Sequence, residues 1–171
     1  MEEEIINSED HFGEESLKGA KQAKLYLEEL LTYPDSGLLE HEIIITVNNK
    51  LLNNKRGYSP YQRMTTYKGL ELLYCNPQDI YHRMQISIDR FNETCFYRNT
   101  VYEALLDIIF DFLEIHPFSD GNGRTIKCLV WYVLRGFKKL YRFYCLDYDK
   151  WCEMIHKRSN DKTLRWLKSM K

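Results

Sequence analysis

Apolar positions recur along this chain at helical spacing far more often than at strand spacing. The densest run lies between Val101 and Ile115, where Leu105, Leu106, Ile108, Ile109, Phe112, Leu113 and Ile115 leave little polar surface, and it predicts a buried helix over 100–115. Pro117 disfavours helical geometry at His116, so that helix should end there and present the imidazole at its carboxyl end. A second period, Ile126, Leu129, Val130, Val133 and Leu134, predicts a helix over 121–137. Further helices are expected near 14–31, 37–53, 77–93, 147–158 and 161–170, with Asn76-Pro77 and Asp147 as starts and Asp35 or Ser36 as a cap for the second. Residues 57–69 break the pattern: turn formers alternate with Tyr and Thr, which predicts a short hairpin. The expected fold is therefore mainly α with one small β-hairpin, in a single domain spanning 1–171 whose first 13 residues are flexible.

Composition narrows the picture. A chain of 171 residues with 44% hydrophobic content is long enough for one real core. There is no apolar run of membrane-spanning length, and the acidic start Met1-Glu2-Glu3-Glu4 is unlike a secretory leader, so a cytoplasmic protein with no membrane partner is expected. Five cysteines, Cys75, Cys95, Cys128, Cys145 and Cys152, make an odd number without paired short spacing, which predicts reduced, structural thiols. His11, His41, His82 and His156 show no ligand pattern. Net charge is −1, but residues 1–50 carry 12 acids and 4 bases while 121–171 carry 13 bases and 4 acids. The basic end lacks an aromatic-basic reading motif, which argues against nucleic acid as a partner and for electrostatic help in binding an anion.

Candidate chemistry concentrates in His116-Pro117-Phe118-Ser119-Asp120-Gly121-Asn122-Gly123-Arg124. A base, a carboxylate, two glycines, an amide and a guanidinium fall between two apolar helices. Gly121 to Arg124 should sit on the first turn of the second helix, where backbone N–H groups lack intrahelical partners and attract anions. Arg124 suits phosphate oxygens, Asn122 can orient one of them, and Asp120 offers a hard oxygen ligand for magnesium shared with phosphates. An EF-hand loop fails because position twelve from Asp120 is Trp131. A dinucleotide fingerprint fails because Ile126 stands at the third glycine and a helix precedes the loop.

The segment resembles the signature of Fic-domain proteins, His-x-Phe-x-Asp/Glu-Gly-Asn-x-Arg-x-x-Arg, at His116, Phe118, Asp120, Gly121, Asn122 and Arg124; the looser resemblance extends over 36–160. It implies a Fic-like helical bundle with a flap beside the catalytic loop of residues 116–127. It also implies an adenylyltransferase that moves AMP from ATP to a Tyr, Thr or Ser hydroxyl of a target protein and releases pyrophosphate. His116 would be the general base. Asp120 would hold Mg2+, and Asn122 with the amides near Gly121 and Gly123 would fix the α-phosphate. Arg124 would neutralise the leaving pyrophosphate, and Phe118 would anchor the loop in the core. Lys127 replaces the last Arg of the pattern. It keeps the charge that meets the γ-phosphate and loses the two-pronged fork. That departure leaves open a degenerate nucleotide- or partner-binding module, and the Doc branch leaves open a protein kinase.

The resemblance carries two further expectations. Residues 57–69, with Tyr61, Gln62, Arg63, Met64 and Thr65 at their centre, are placed like the Fic flap, which aligns a target by strand addition. Ser36-Gly37-Leu38-Leu39-Glu40 fits the first part of the inhibitory-helix pattern Ser/Thr-x-x-x-Glu-Gly/Asn, with His41 at its last position. Ser36 and Glu40 are thus candidate inhibitory residues within 36–41, and a separate small inhibitor protein remains an alternative.

Overall fold

The computed structural model describes residues 14–53, 57–58, 64–67, 70–98 and 100–138. Five helices run through them: α1 (Glu14–Leu30), α2 (His41–Leu51), α3 (Ile80–Arg98), α4 (Val101–Ile115) and α5 (Asn122–Gly136). Two short strands, β1 (Met64–Tyr67) and β2 (Leu70–Leu73), pair antiparallel with Met64 opposite Leu73 and Tyr67 opposite Leu70. The chain is mainly helical, as its apolar periodicity predicts. The helices expected at 147–158 and 161–170, the flexible start 1–13, and flap residues Tyr61, Gln62 and Arg63 lie outside the described residues. Among the described residues no helix is long and apolar enough to cross a membrane.

The innermost helix is α5. Every residue from Thr125 to Leu134 is buried, because α2 and α4 pack on it and α1 touches it as well. A helix apolar on one stripe can rest on a single neighbour; one buried all round must sit in the middle. The broadest helix contact joins α3 to α4, with Met84, Ile88 and Phe91 on one side and Val101, Leu105, Ile108 and Phe112 on the other all buried. Each such side chain contributes about 1.5–3 kcal/mol by leaving water.

Two helix boundaries differ from the sequence reading. The helix expected over 37–53 begins only at His41, with Glu40 as an extended N-cap residue (φ −140°, ψ 157°). Gly37 takes φ 96° and packs its backbone on Gly136. The Leu39 N–H donates to Asn92 Oδ1 at 2.9 Å while Asn92 Nδ2 donates to the Leu39 carbonyl at 2.8 Å. Both polar groups of Leu39 are therefore bound from α3, and the segment gains nothing by coiling. The helix expected over 77–93 opens instead as a 3-10 turn, Pro77–Asp79, and α3 continues to Arg98. Phe91 and Cys95, one turn apart and both buried, carry the apolar stripe past the low-propensity Asn92 and Thr94.

Candidate functional site

The loop between α4 and α5 is shaped by its two ends. At the first, His116 ends α4 in the left-handed region (φ 53°, ψ 63°), its N–H bonded to the Phe112 carbonyl at 2.9 Å. Left-handed geometry costs a non-glycine residue about 1–2 kcal/mol. Packing of the next two residues offsets that cost. Pro117 and Phe118 are buried, and the Phe118 ring lies 5.4 Å from that of Tyr58 and 6.2 Å from that of Phe112. The His116 ring is stacked on Tyr74, centroids 3.9 Å apart and planes at 13°. Tyr74 directly succeeds β2, so that strand and the candidate base are joined through one stacked pair.

Asn122 has a structural role in the loop. Its place in the sequence suggests a partner for a phosphate oxygen, yet its side chain closes on the loop itself: the Phe118 N–H donates to Oδ1 at 3.0 Å and Nδ2 donates to the Phe118 carbonyl at 2.8 Å. The residue is only 4% exposed. Two satisfied hydrogen bonds at about 0.5–1.5 kcal/mol each make Asn122 the clasp of the loop, and leaving the backbone N–H and C=O of Phe118 without them would cost more than they contribute.

At the second end, Gly121 is the N-cap residue of α5 at φ 75°. A Cβ there would lie 2.9 Å from Asn48 Nδ2, so both conformation and space call for glycine. A Cβ on Gly123 would meet nothing within 4 Å, which leaves the first turn of α5 open on that side. The Gly121 N–H donates to Asp120 Oδ1 at 2.6 Å. Arg124 reaches the same carboxylate at 3.3 and 3.4 Å, with its side chain 12% exposed and that of Asp120 69% exposed. The two groups expected to bind an anion, an N–H at a helix start and a guanidinium, thus converge on one carboxylate. That convergence is an anion-binding geometry. Lys127, expected at the γ-phosphate, stands one turn further along α5 and is 4% exposed, inside the packing rather than on the open side.

Ser36 and Glu40 are not brought to this loop. Glu40 acts electrostatically on Tyr26 and Tyr132, near the far end of α5, whereas α2 meets the loop through Asn48, about 12 Å further along the helix at 1.5 Å per residue. The inhibitory-helix expectation also loses its helix, since Ser36 to Glu40 precede α2. Of the flap residues, Met64 and Thr65 begin β1.

Sequence reasoning missed several residues that build the site. Asn48, 3% exposed, donates through Nδ2 to the Asp120 carbonyl at 3.0 Å and to Thr125 Oγ1 at 3.1 Å. A signal existed: Asn48 is a polar residue within the buried stripe Ile44, Val47, Leu51. His41 bridges elements, with Nδ1 2.6 Å from the Tyr58 hydroxyl and Nε2 2.9 Å from Gln85 Oε1, and it stacks on Tyr81 at 4.0 Å. Since Gln85 Nε2 donates to Asp89 Oδ1 at 2.8 Å, its oxygen must accept from His41, which puts the proton on Nε2 and lets Nδ1 accept from Tyr58. Burial holds the His41 imidazole below its ordinary titration range. Cys75, Cys95 and Cys128 are buried thiols outside any disulfide; burial pushes Cys95 and Cys128 up to about 12, so neither is a nucleophile at neutral pH. Among the described residues no group of three or more His, Cys, Asp or Glu side chains is arranged to hold a metal ion.

Residues 38–134 match the Fic/DOC family, a span running from just before α2 into the last turn of α5. No curated protein matches the sequence. Among solved structures, the chain is similar to a Fic-domain-containing signaling protein from Bacteroides thetaiotaomicron VPI-5482, with a TM-score of 0.76 and 18% identity over 95% of this chain and 70% of that one. It is also similar to a glutamate-to-glycine variant of Fic-1 from C. elegans, with a TM-score of 0.57 and 17% identity over 99% of this chain. The chain spans 57% of that C. elegans chain, which comprises residues 134–508 of Fic-1. At these identities the likeness is one of fold.

Proposed function

The chain belongs to the Fic/DOC family, and from that premise we propose that it is a protein adenylyltransferase, transferring AMP from ATP to a hydroxyl of a target protein. The observation that supports this most is the convergence of the Gly121 N–H and Arg124 on one anionic group at the open start of α5. A carboxylate at that point occupies the kind of position a phosphate oxygen would take.

In this reading the hydroxyl oxygen attacks the α-phosphorus and forms the new ester bond. The bond from that phosphorus to the bridging oxygen breaks, and pyrophosphate leaves. His116 takes the hydroxyl proton; its fixed backbone and the stacked Tyr74 ring hold the imidazole in one orientation, so little reorganisation is needed at the moment of transfer. The N–H groups of Gly121 and Gly123 hold the α-phosphate. Arg124 turns from Asp120 to the leaving phosphates, and buried Lys127 supplies a second positive charge on the inner side. Asn122 acts at one remove, by keeping the loop closed over Phe118.

The donor set fits Mg2+ in the way that ion is usually held, by one or two carboxylates with the remaining positions on phosphates and water. Asp120 is a single, mostly exposed carboxylate beside the anion site. Bound there, the ion would neutralise charge on the phosphates. We assign target docking to the hairpin: β1 and β2 form a two-stranded sheet, and an extended segment of a target would add along an edge. An edge strand satisfies its outward N–H and C=O groups either on water or on such a partner.

The test is label transfer to protein from ATP labelled at the α- or the γ-phosphate, in Mg2+, in a lysate that contains candidate targets. Label from the α position that vanishes in His116→Ala is expected. Label from the γ position alone would make the chain a kinase, and nucleotide binding without transfer would make it a binding module.

A further inference from the structure

We infer that Asn48 is a positioning residue for the nucleotide site, aiming the Gly121 N–H at the bound anion. This rests on the reading of the α5 start as a phosphate site. Asn48 lies 72 residues before Asp120 on another helix, yet its Nδ2 donates to the Asp120 carbonyl at 3.0 Å. The carbonyl of residue 120 and the N–H of residue 121 belong to one peptide plane and point in opposite directions when the peptide is trans. Drawing the carbonyl inward to α2 therefore turns the Gly121 N–H outward, where it meets Asp120 Oδ1 at 2.6 Å.

Two more contacts show that the arrangement is built and not incidental. The second Nδ2 hydrogen goes to Thr125 Oγ1 at 3.1 Å, and Thr125 is the residue whose N–H makes the first helical bond of α5, to the Gly121 carbonyl at 2.8 Å. One amide thus grips the first turn from both ends, using both of its donors. The same nitrogen lies against the place where a Gly121 side chain would be. Asn48, the left-handed cap and the direction of the N–H form one unit. An isolated glycine cap rotates its peptide readily, since glycine tolerates many conformations; a buried amide on another helix removes that freedom before the ligand arrives.

Three variants separate positioning from general stability. Asn48→Leu keeps the volume and loses the donors. Adding Thr125→Val removes the hydroxyl that Asn48→Leu orphans, and Thr125→Val alone leaves the grip on Asp120 intact. Thermal melting, MgATP affinity and the amide NMR signal of Gly121 are read on each full chain. Asn48→Leu is expected to melt early, bind MgATP about tenfold more weakly, the size of one charge-assisted hydrogen bond, and move the Gly121 signal upfield toward that of a solvated glycine. The double variant should recover part of the melting loss, that due to the orphaned hydroxyl, but not affinity or the Gly121 signal. Thr125→Val should hold both of the latter at native values. If the double variant restores affinity and signal along with melting, or Thr125→Val alone reproduces their loss, Asn48 acts only through stability and the inference is overturned. If the native chain does not bind MgATP, the phosphate-site reading fails separately, and the Gly121 signal alone decides whether Asn48 aims that peptide.

Discussion

Helices α2 and α5 pack against each other and run in opposite directions, and their starts are chemically unlike. The α2 start has Glu40 at its N-cap and Glu42 in its first turn, so the positive end of the helix dipole is answered by acids of its own sequence. The first turn of α5 holds no acid. It has Gly121 at the cap, Gly123 opening the surface, Arg124 adding a charge, and a carboxylate just before it that is mostly in solvent. Every helix start attracts anions to some degree; at α5 the group that answers is Asp120, whose carboxylate accepts from the Gly121 N–H while lying mostly in solvent. On the proposed function that exposed carboxylate marks where a phosphate would sit at α5, whereas the acids at α2 belong to the helix start itself.

The largest effect is expected at the base. His116→Ala should lower adenylyl transfer by about 100-fold or more, the range of lost general-base catalysis, while MgATP affinity changes little; equal loss of affinity would put His116 in the nucleotide site instead. Next, Asn122→Ala should cost about 2–4 kcal/mol by orphaning the backbone N–H and C=O of Phe118, seen as an early melting transition. If Asn122 contacted phosphate, as its sequence position suggests, affinity would fall with melting unchanged. Arg124→Ala should raise the KM for ATP roughly tenfold, whereas Glu40→Gln, at the contrasting helix start, should leave KM and rate within about twofold of native, since an exposed charge near a helix start contributes little at a distance. A several-fold activation by Glu40→Gln would restore Glu40 as an inhibitor and break the contrast.

The smallest effect concerns His41, which opens α2. Burial depresses its titration below the ordinary value of 6.5, so the folded chain binds fewer protons there than the unfolded chain does. Its stabilising contribution is thus complete above that value and is lost as pH falls through it toward the depressed folded value. Gln85 and Asp89 oppose the shift, which keeps the effect small. Melting followed from about pH 7.5 to about 5.5, across the histidine range, should decline less steeply in His41→Asn than in the native chain; an identical slope would exclude His41 as a contributor.

Much of this is legible in the sequence, for reasons that can be named. Proline after His116 and glycine before Asn122 are local instructions, and they set the helix boundaries at Ile115 and Asn122. The dense apolar runs identify α4 and α5 because their burial is continuous. The start of α2 is not legible, because it depends on Asn92 binding both polar groups of Leu39 from a helix 53 residues away. The role of Asn122 is hidden for a related reason: an amide beside glycines suggests a ligand contact, while its clasp on Phe118 depends on how tightly the loop folds back. Asn48 escapes notice because a single polar residue in an apolar stripe does not reveal what it reaches.

The contrast between the two helix starts is tested most directly by titrating the full chain with MgATP and following backbone amide signals by NMR. The amides of Gly121, Asn122 and Gly123 should shift in a saturable way while those of His41, Glu42 and Ile43 stay in place. Saturable binding that moves the α2 signals, or that leaves Gly121 to Gly123 unmoved, would contradict the assignment of the phosphates to the start of α5.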